Sequence, residues 1–197
     1  VDDVVKAKAI IYALRDNGNS PLGMAITKVL LSNDGECILD YPEVFPSICL
    51  AGMNFYLPGL SNDIVNNLFN NEKIKYSGIQ LQGCQFRRIK LNNVNFSNSN
   101  LLGTEWGIDE FQDESFWNHV SFRECDFRYS SINKVSLTNC NFSSSNFTNA
   151  TFSQLDIDDL TKFYGVNLIY SSMIFIHLNK ISQFLGSIIL KSDLSNW

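Results

Sequence analysis

Large apolar residues recur along most of this chain at every fifth position, a spacing that is neither the 3.6 of a helix nor the 2 of a strand. The series runs from Leu81 through Phe86, Leu91, Phe96, Leu101, Trp106, Phe111 and Phe116. After one extra residue it resumes at Phe122 and proceeds by fives to Ile157, and after another it runs from Phe163 through Leu168 and Met173 to Leu178. Two residues before most of these centres stands a small or aliphatic residue, among them Cys84, Val94, Cys125, Ser130, Cys140 and Ala150. An Asn or Asp often directly precedes the centre, as at Asn95, Asn100, Asp126, Asn141 and Asn146. No single long element has this period. It fits a solenoid in which each five-residue unit is one extended side of a coil, with the centre and the residue two before it turned inward and the other three outward.

The flanks follow other rules. Val4, Val5, Ile10, Ile11 and Leu14 fall close to one stripe of a helix that Asn17-Gly18 would end, and a second helix is predicted over 21–32 with Ser20 as its cap. Asn33-Asp34-Gly35 reads as a turn. The fives begin faintly at Leu50, Phe55 and Leu60, then give way to SNDIVNNLFNNEKIKY, which reads as a short helix or an excursion. In the tail, Ile181, Phe184, Leu185, Ile188 and Ile189 have helical spacing, predicting a C-terminal helix that caps the last coil or leads to a following domain. The expected organisation is a helical region over 1–47, a solenoid over 48–178 that is regular from about 77, and a capping or linker helix over 179–197.

This five-residue pattern resembles the pentapeptide-repeat proteins, whose consensus is written A(D/N)LXX, and the resemblance covers about residues 77 to 178. It implies a mainly β fold, a right-handed quadrilateral β-helix with four units per coil, here about five coils and a shaft of roughly 25 Å at ~4.8 Å per layer. Phe replaces much of the family's Leu, and Ser or Cys replaces much of its Ala. Both changes keep what each slot needs, volume at the centre and compactness beside it. Phe122 and Phe142 are expected to stack in a ladder along the axis.

The breaks in register draw attention to the surface. Both one-residue insertions, between Phe116 and Phe122 and between Ile157 and Phe163, fall at the same corner if the units are laid on four faces in order. Strict register through TEWGIDEFQDESFWN would bury Asp109 and Glu114, and an unpaired buried carboxylate is prohibitive. The coil is therefore expected to bulge there and display Asp109, Glu110, Asp113 and Glu114 beside Trp106 and Trp117, with Asp156, Asp158 and Asp159 near the same corner further on. Such a mixture is a candidate protein-binding patch; a loop of solvated charge is the plainer reading. A basic counterpart places Arg87 and Arg128 after the centre of one face, two coils apart, with Arg88, Lys90 and Arg123 alongside. That group would suit an acidic partner or be a solvated face.

Composition narrows the function classes. The chain has 197 residues, 18% charged, and a net charge of −5, modest and mixed rather than that of a general nucleic-acid binder. No apolar run reaches a membrane span and the first residues do not form a signal peptide. The missing initiator Met and the end SDLSNW read as a piece cut from a larger protein. Cys37, Cys49, Cys84, Cys125 and Cys140 lack CxxC or metal-ligand spacing. His119 and His177 have no patterned partner, and P-loop, GxSxG, HExxH and GxGxxG motifs are missing. The sequons at Asn95, Asn141, Asn146 and Asn149 are mostly by-products of the repeat. No catalytic residue, metal or cofactor is predicted.

The Phe-rich wording FRECDFRYSSINKV and the helical N-terminal segment are most similar to the β-helix substrate-recognition domain of bacterial HECT-like E3 ubiquitin ligases delivered by type III secretion. That resemblance implies a non-catalytic domain that binds host proteins in the host cytoplasm, with a catalytic domain elsewhere in the same polypeptide. The alternative resemblance is to DNA-mimicking pentapeptide proteins of quinolone resistance, which implies binding to DNA gyrase or topoisomerase in the bacterial cytoplasm. Their strongly acidic surface fits this chain only in part.

Overall fold

The computed structural model describes residues 50, 55, 62–86, 89–107, 115–178 and 180–195. The helices expected within 1–47 lie outside the described residues. The chain winds into coils whose sides pair in parallel, layer on layer. The strands are β1 (Gln85–Phe86), β2 (Lys90–Asn92), β3 (Glu105–Trp106), β4 (Ser115–Asn118), β5 (Ser131–Thr138), β6 (Thr151–Ile157) and β7 (Ser172–Leu178). The column that starts at Phe86 is revisited at Trp106, Ile132, Phe152 and Met173, four turns later. The next face holds Leu91, Trp117, Leu137, Ile157 and Leu178. Isolated parallel bridges, such as Asn95↔Ser121↔Asn141↔Lys162 and Asn100↔Asp126↔Asn146↔Asn167, complete the third and fourth faces. The four-sided coil, mainly β, is the expected one.

Its interior is the set of fives. Phe96, Phe122, Phe142, Phe163 and Phe184 stack face to face with centroid separations of 5.3, 5.1, 4.8 and 4.7 Å. A second stack joins Phe55, Phe86 and Trp106 at 4.8 and 4.1 Å. The small slots at Cys84, Ser99, Thr104, Cys125, Ser130, Cys140, Ser145 and Ala150 are all buried beside them. The excursion is α1 (Asn62–Phe69), whose Val65, Leu68 and Phe69 are buried, with Phe69 edge-on to Phe86 at 5.4 Å.

Two expectations need correction. Along the first face the pairing partners are 20 residues apart at Gln85↔Glu105 but 26 apart at Glu105↔Ser131. The first break is thus a six-residue insertion between Trp106 and Trp117, at the corner between the first and second faces. It is not one residue between Phe116 and Phe122. Trp117 and Ser115 take the inward slots and Phe116 turns outward, 47% exposed. The one-residue insertion after Ile157 stands, at the corner between the second and third faces, so the two breaks do not share a corner.

The second correction is the tail. In place of a capping α-helix there is one 3-10 turn, Ile181–Phe184, after which the chain resumes the coil through the bridges Asn167↔Ile188 and Ser172↔Asp193. Phe184 extends the Phe stack while Ile181, Leu185, Ile188 and Ile189 stand exposed. The last layer of a solenoid carries unpaired N–H and C=O groups, and a further coil satisfies them where a helix lying across it would not.

Candidate protein-binding surface

Most corners of the coil are made by a residue two past the centre with φ near +55°, as at Asn93, Asn98, Glu124, Tyr129, Asn139 and Asn149. The Asn or Asp before the centre braces the same corner. Its side-chain oxygen accepts the N–H two residues on, from Ser97 to Asn95, Arg128 to Asp126, Ser143 to Asn141, Thr148 to Asn146 and Ile169 to Asn167. The outward side chains are therefore presented from a stiff frame, in columns about one strand spacing apart.

Of the predicted acidic and aromatic patch, the two tryptophans are not on the surface. Trp106 and Trp117 are fully buried and pack edge to face at 5.0 Å, with Trp106 Nε1 donating to Thr104 Oγ1 at 2.8 Å. Asp109, Glu110, Asp113 and Glu114 lie outside the described residues. Asp158 is structural. Its Oδ1 accepts the N–H and hydroxyl of Thr161 at 2.9 and 2.7 Å and the N–H of Asn139 at 3.0 Å, which accommodates the inserted residue. Asp156 meets His177 at 2.9 Å and Asp159 meets Lys180 at 2.7 Å, both on the surface.

Of the predicted basic group, Lys90, Arg123 and Arg128 are described. Arg87 and Arg88 lie outside the described residues. Phe86, which precedes them, belongs to the first face, whereas Phe127 stands in the column of Leu101 and Phe147, so the centres before Arg87 and Arg128 lie on different faces and not on the one expected. Arg128 closes back onto Asp126, with Nη2 at 2.7 Å and Nε at 2.9 Å. Burial alone would raise the Asp126 carboxyl, but the hydrogen bonds and charge of Arg128 hold it below the usual range. Among the described residues Arg123 pairs with Glu124, at 3.6 Å, and Lys90 is exposed on β2.

The cysteines are core groups. The thiols of Cys84, Cys125 and Cys140 donate to the carbonyls of Leu50, Phe96 and Trp117, and burial pushes Cys125 and Cys140 up to about 12. No group of three His, Cys, Asp or Glu that could hold a metal occurs among the described residues. No described helix is long and apolar enough to cross a membrane.

What sequence reasoning missed is an apolar surface at the C-terminal end of the shaft. Of the eleven large hydrophobic residues exposed among the described ones, nine lie between Leu160 and Leu190. Tyr164 and Leu185 occupy one outward column and Leu160 and Ile181 its neighbouring corner, one layer apart in each case. A usable signal existed, since Leu160, Tyr164, Tyr170 and Phe175 fall in slots that the register turns outward; the helical reading of the tail concealed the rest.

The fold defines a class, the four-sided parallel β-helix that presents outward side chains in columns. Residues 78–105, 114–143 and 121–157, all within the shaft, match the family model described as Pentapeptide repeats, in 8 copies. No curated protein sequence matches the chain. Among solved structures it is similar to the pentapeptide-repeat protein Rfr23 of the cyanobacterium Cyanothece 51142, with 15% identity over 55% of this chain and a TM-score of 0.28. The chain spans 62% of the length of Rfr23. It is also similar to HetL of Nostoc sp. strain PCC 7120, involved in heterocyst differentiation regulation, at 14% identity over 60% of this chain and 81% of that one, TM-score 0.21. A third is QnrB1, a plasmid-mediated fluoroquinolone resistance protein, at 14% identity over 65% and 67% of the two chains, TM-score 0.23.

Proposed function

We propose that this chain is a non-catalytic protein-binding domain of a secreted bacterial effector, with a host protein as partner. In this reading it is the substrate-recognition part of an E3 ubiquitin ligase whose catalytic cysteine belongs to a separate domain. The observation that carries the binding reading is the concentration of exposed apolar side chains between Leu160 and Leu190. Apolar patches of this kind on a soluble frame mark protein contacts, and a frame already ordered loses little entropy on binding. The effector and ligase parts rest on the resemblance of FRECDFRYSSINKV. A DNA mimic needs a field of uncompensated acid, whereas Asp126 and Asp159 are each matched by a cation.

The test is affinity capture from host-cell lysate with the immobilised chain, beside a Leu185→Glu/Ile188→Glu variant of equal melting temperature. The reading expects a host protein retained by the first and lost from the second, and no effect of the chain on gyrase supercoiling. Inhibition of supercoiling at low micromolar protein, or retention by both chains alike, overturns it. A ligase domain encoded beyond Trp197 in the same gene is the expected companion; a gene without one removes the ligase part alone.

A further inference from the structure

At the other end of the shaft, between the end of α1 and the first coil, lies a cavity of about 380 Å³. Five asparagines line it, Asn70, Asn71, Asn92, Asn93 and Asn95, together with Glu72 and Lys75. Its chemistry follows from what the backbone already uses. The N–H of Lys73 donates to Asn71 Oδ1 at 2.9 Å, that of Ser97 to Asn95 Oδ1 at 3.0 Å and that of Asn92 to Asn70 Oδ1 at 2.6 Å. A backbone N–H cannot accept, so the amide atom facing it must be the oxygen, which fixes the orientation of each carboxamide. Asn70 spends its Nδ2 on the carbonyls of Asn66 and Lys90. Among the described residues, Asn71 and Asn95 have no acceptor for their Nδ2 hydrogens, the exposed Asn93 side chain has no hydrogen-bond partner and Lys75 has no acidic partner. The amide oxygens of Asn70, Asn71, Asn92 and Asn95 thus each already accept a hydrogen bond, while amide donors and the Lys75 ammonium remain beside two unused acceptors, the Asn93 oxygen and the Glu72 carboxylate.

A cavity so lined suits a ligand rich in acceptors and negatively charged. Tyr76 is only 5% exposed and its hydroxyl donates to the Leu68 carbonyl, so the lining offers no aromatic face on which a sugar or base could stack. Glu72 offsets part of the Lys75 charge, which favours a singly charged carboxylate over a phosphate dianion. The volume lies in the range of ordinary ligand pockets. We propose that the asparagine-lined cavity between α1 and the first coil binds the side-chain carboxylate of an Asp or Glu in an acidic segment of a partner polypeptide. This rests on the protein-binding reading in one respect, that the carboxylate arrives on a polypeptide.

The experiment titrates the full chain with acetyl-Gly-Glu-Gly-Glu-Gly-amide and with the same peptide carrying Gln for Glu, following Asn side-chain amide resonances by NMR and affinity by calorimetry. The Glu peptide is expected to shift the resonances of Asn71, Asn93 and Asn95 and to bind about tenfold more tightly than the Gln peptide, the scale of one charge-assisted hydrogen bond. Lys75→Gln and Asn93→Gly, the second chosen to keep a residue content with φ +56°, should each weaken binding several-fold at unchanged melting temperature. Equal binding of the two peptides, or shifts confined to other residues, overturns the site. Saturation by acetate alone at the same concentration overturns the polypeptide source. The titration needs no host protein, so loss of lysate capture would leave its result intact and the two readings fail separately.

Discussion

At the scale of single residues the fold depends on backbone conformations that L-residues resist. Nearly every corner sits at positive φ, a region costing roughly 1 kcal/mol for a side chain with a Cβ. The corner positions are Asn, Gly and unbranched residues, with no Val, Ile or Thr among them. Gly107 is a special case: a Cβ there would lie 1.7 Å from the backbone oxygen of Asn133. Gly107→Ala should therefore cost more than about 2 kcal/mol in urea unfolding, while Gly103→Ala, with open space around it, should cost about 1 kcal/mol. Equal costs would mean that the chain does not approach Asn133 as described. Asp126 offers a second check. Its folded pKa is lowered, so its contribution to stability is present above the unfolded value near 3.9 and fades as pH falls through the folded value. Arg128→Ala should raise the Asp126 titration midpoint seen by carboxyl NMR, and an unmoved midpoint would contradict the pairing. The Asn before each centre was visible in the sequence; its reason, a side-chain oxygen bracing the corner, was not, because it depends on φ two to three residues further on.

At the scale of elements the chain is held by its stacked centres. Phe142, between Phe122 and Phe163, is fully buried. Phe142→Ala should cost about 3–5 kcal/mol, and Phe142→Asp should unfold the shaft because the buried carboxylate finds no partner. A normal melting curve for the second would refute the register. The sides were legible because burial and period agree at every layer from Phe122 to Met173. Two elements misled, each for a physical reason. Phe116 and Trp117 are adjacent and both large, so either could be a centre; Glu114 stands two before one and Ser115 two before the other, and only the serine is compatible with burial. In the tail, Ile181, Phe184, Leu185 and Ile188 fit a helical stripe, yet Phe184, Ile189 and Leu194 also keep the spacing of five. The unpaired edge of the last coil decides between them.

At the scale of the whole molecule, the interior takes up the described cysteines and both described tryptophans, Trp106 and Trp117, leaving function to the outward columns. Alkylation at pH 8 followed by mass spectrometry should leave Cys125 and Cys140 unlabelled until denaturant unfolds the chain, since their thiols titrate at about 12. Labelling of the native chain would mean a looser shaft. The candidate basic and acidic groups could be found in the sequence, but their mutual placement depended on which residues share a column, and an unrecognised insertion of six moved every column before Trp117 relative to those after it. The exposed apolar end could not be found while the tail was read as a helix. Arg123, Ser143, Tyr164 and Leu185 share one column, so the shaft supplies its own control. With a benzophenone amino acid placed in turn at Arg123, Tyr164 and Leu185, exposure of the chain to host-cell lysate under ultraviolet light should crosslink one host protein from Tyr164 and Leu185 and not from Arg123. Crosslinking from Arg123 alone, or from none of the three, would contradict the assignment of the C-terminal coils as the binding surface.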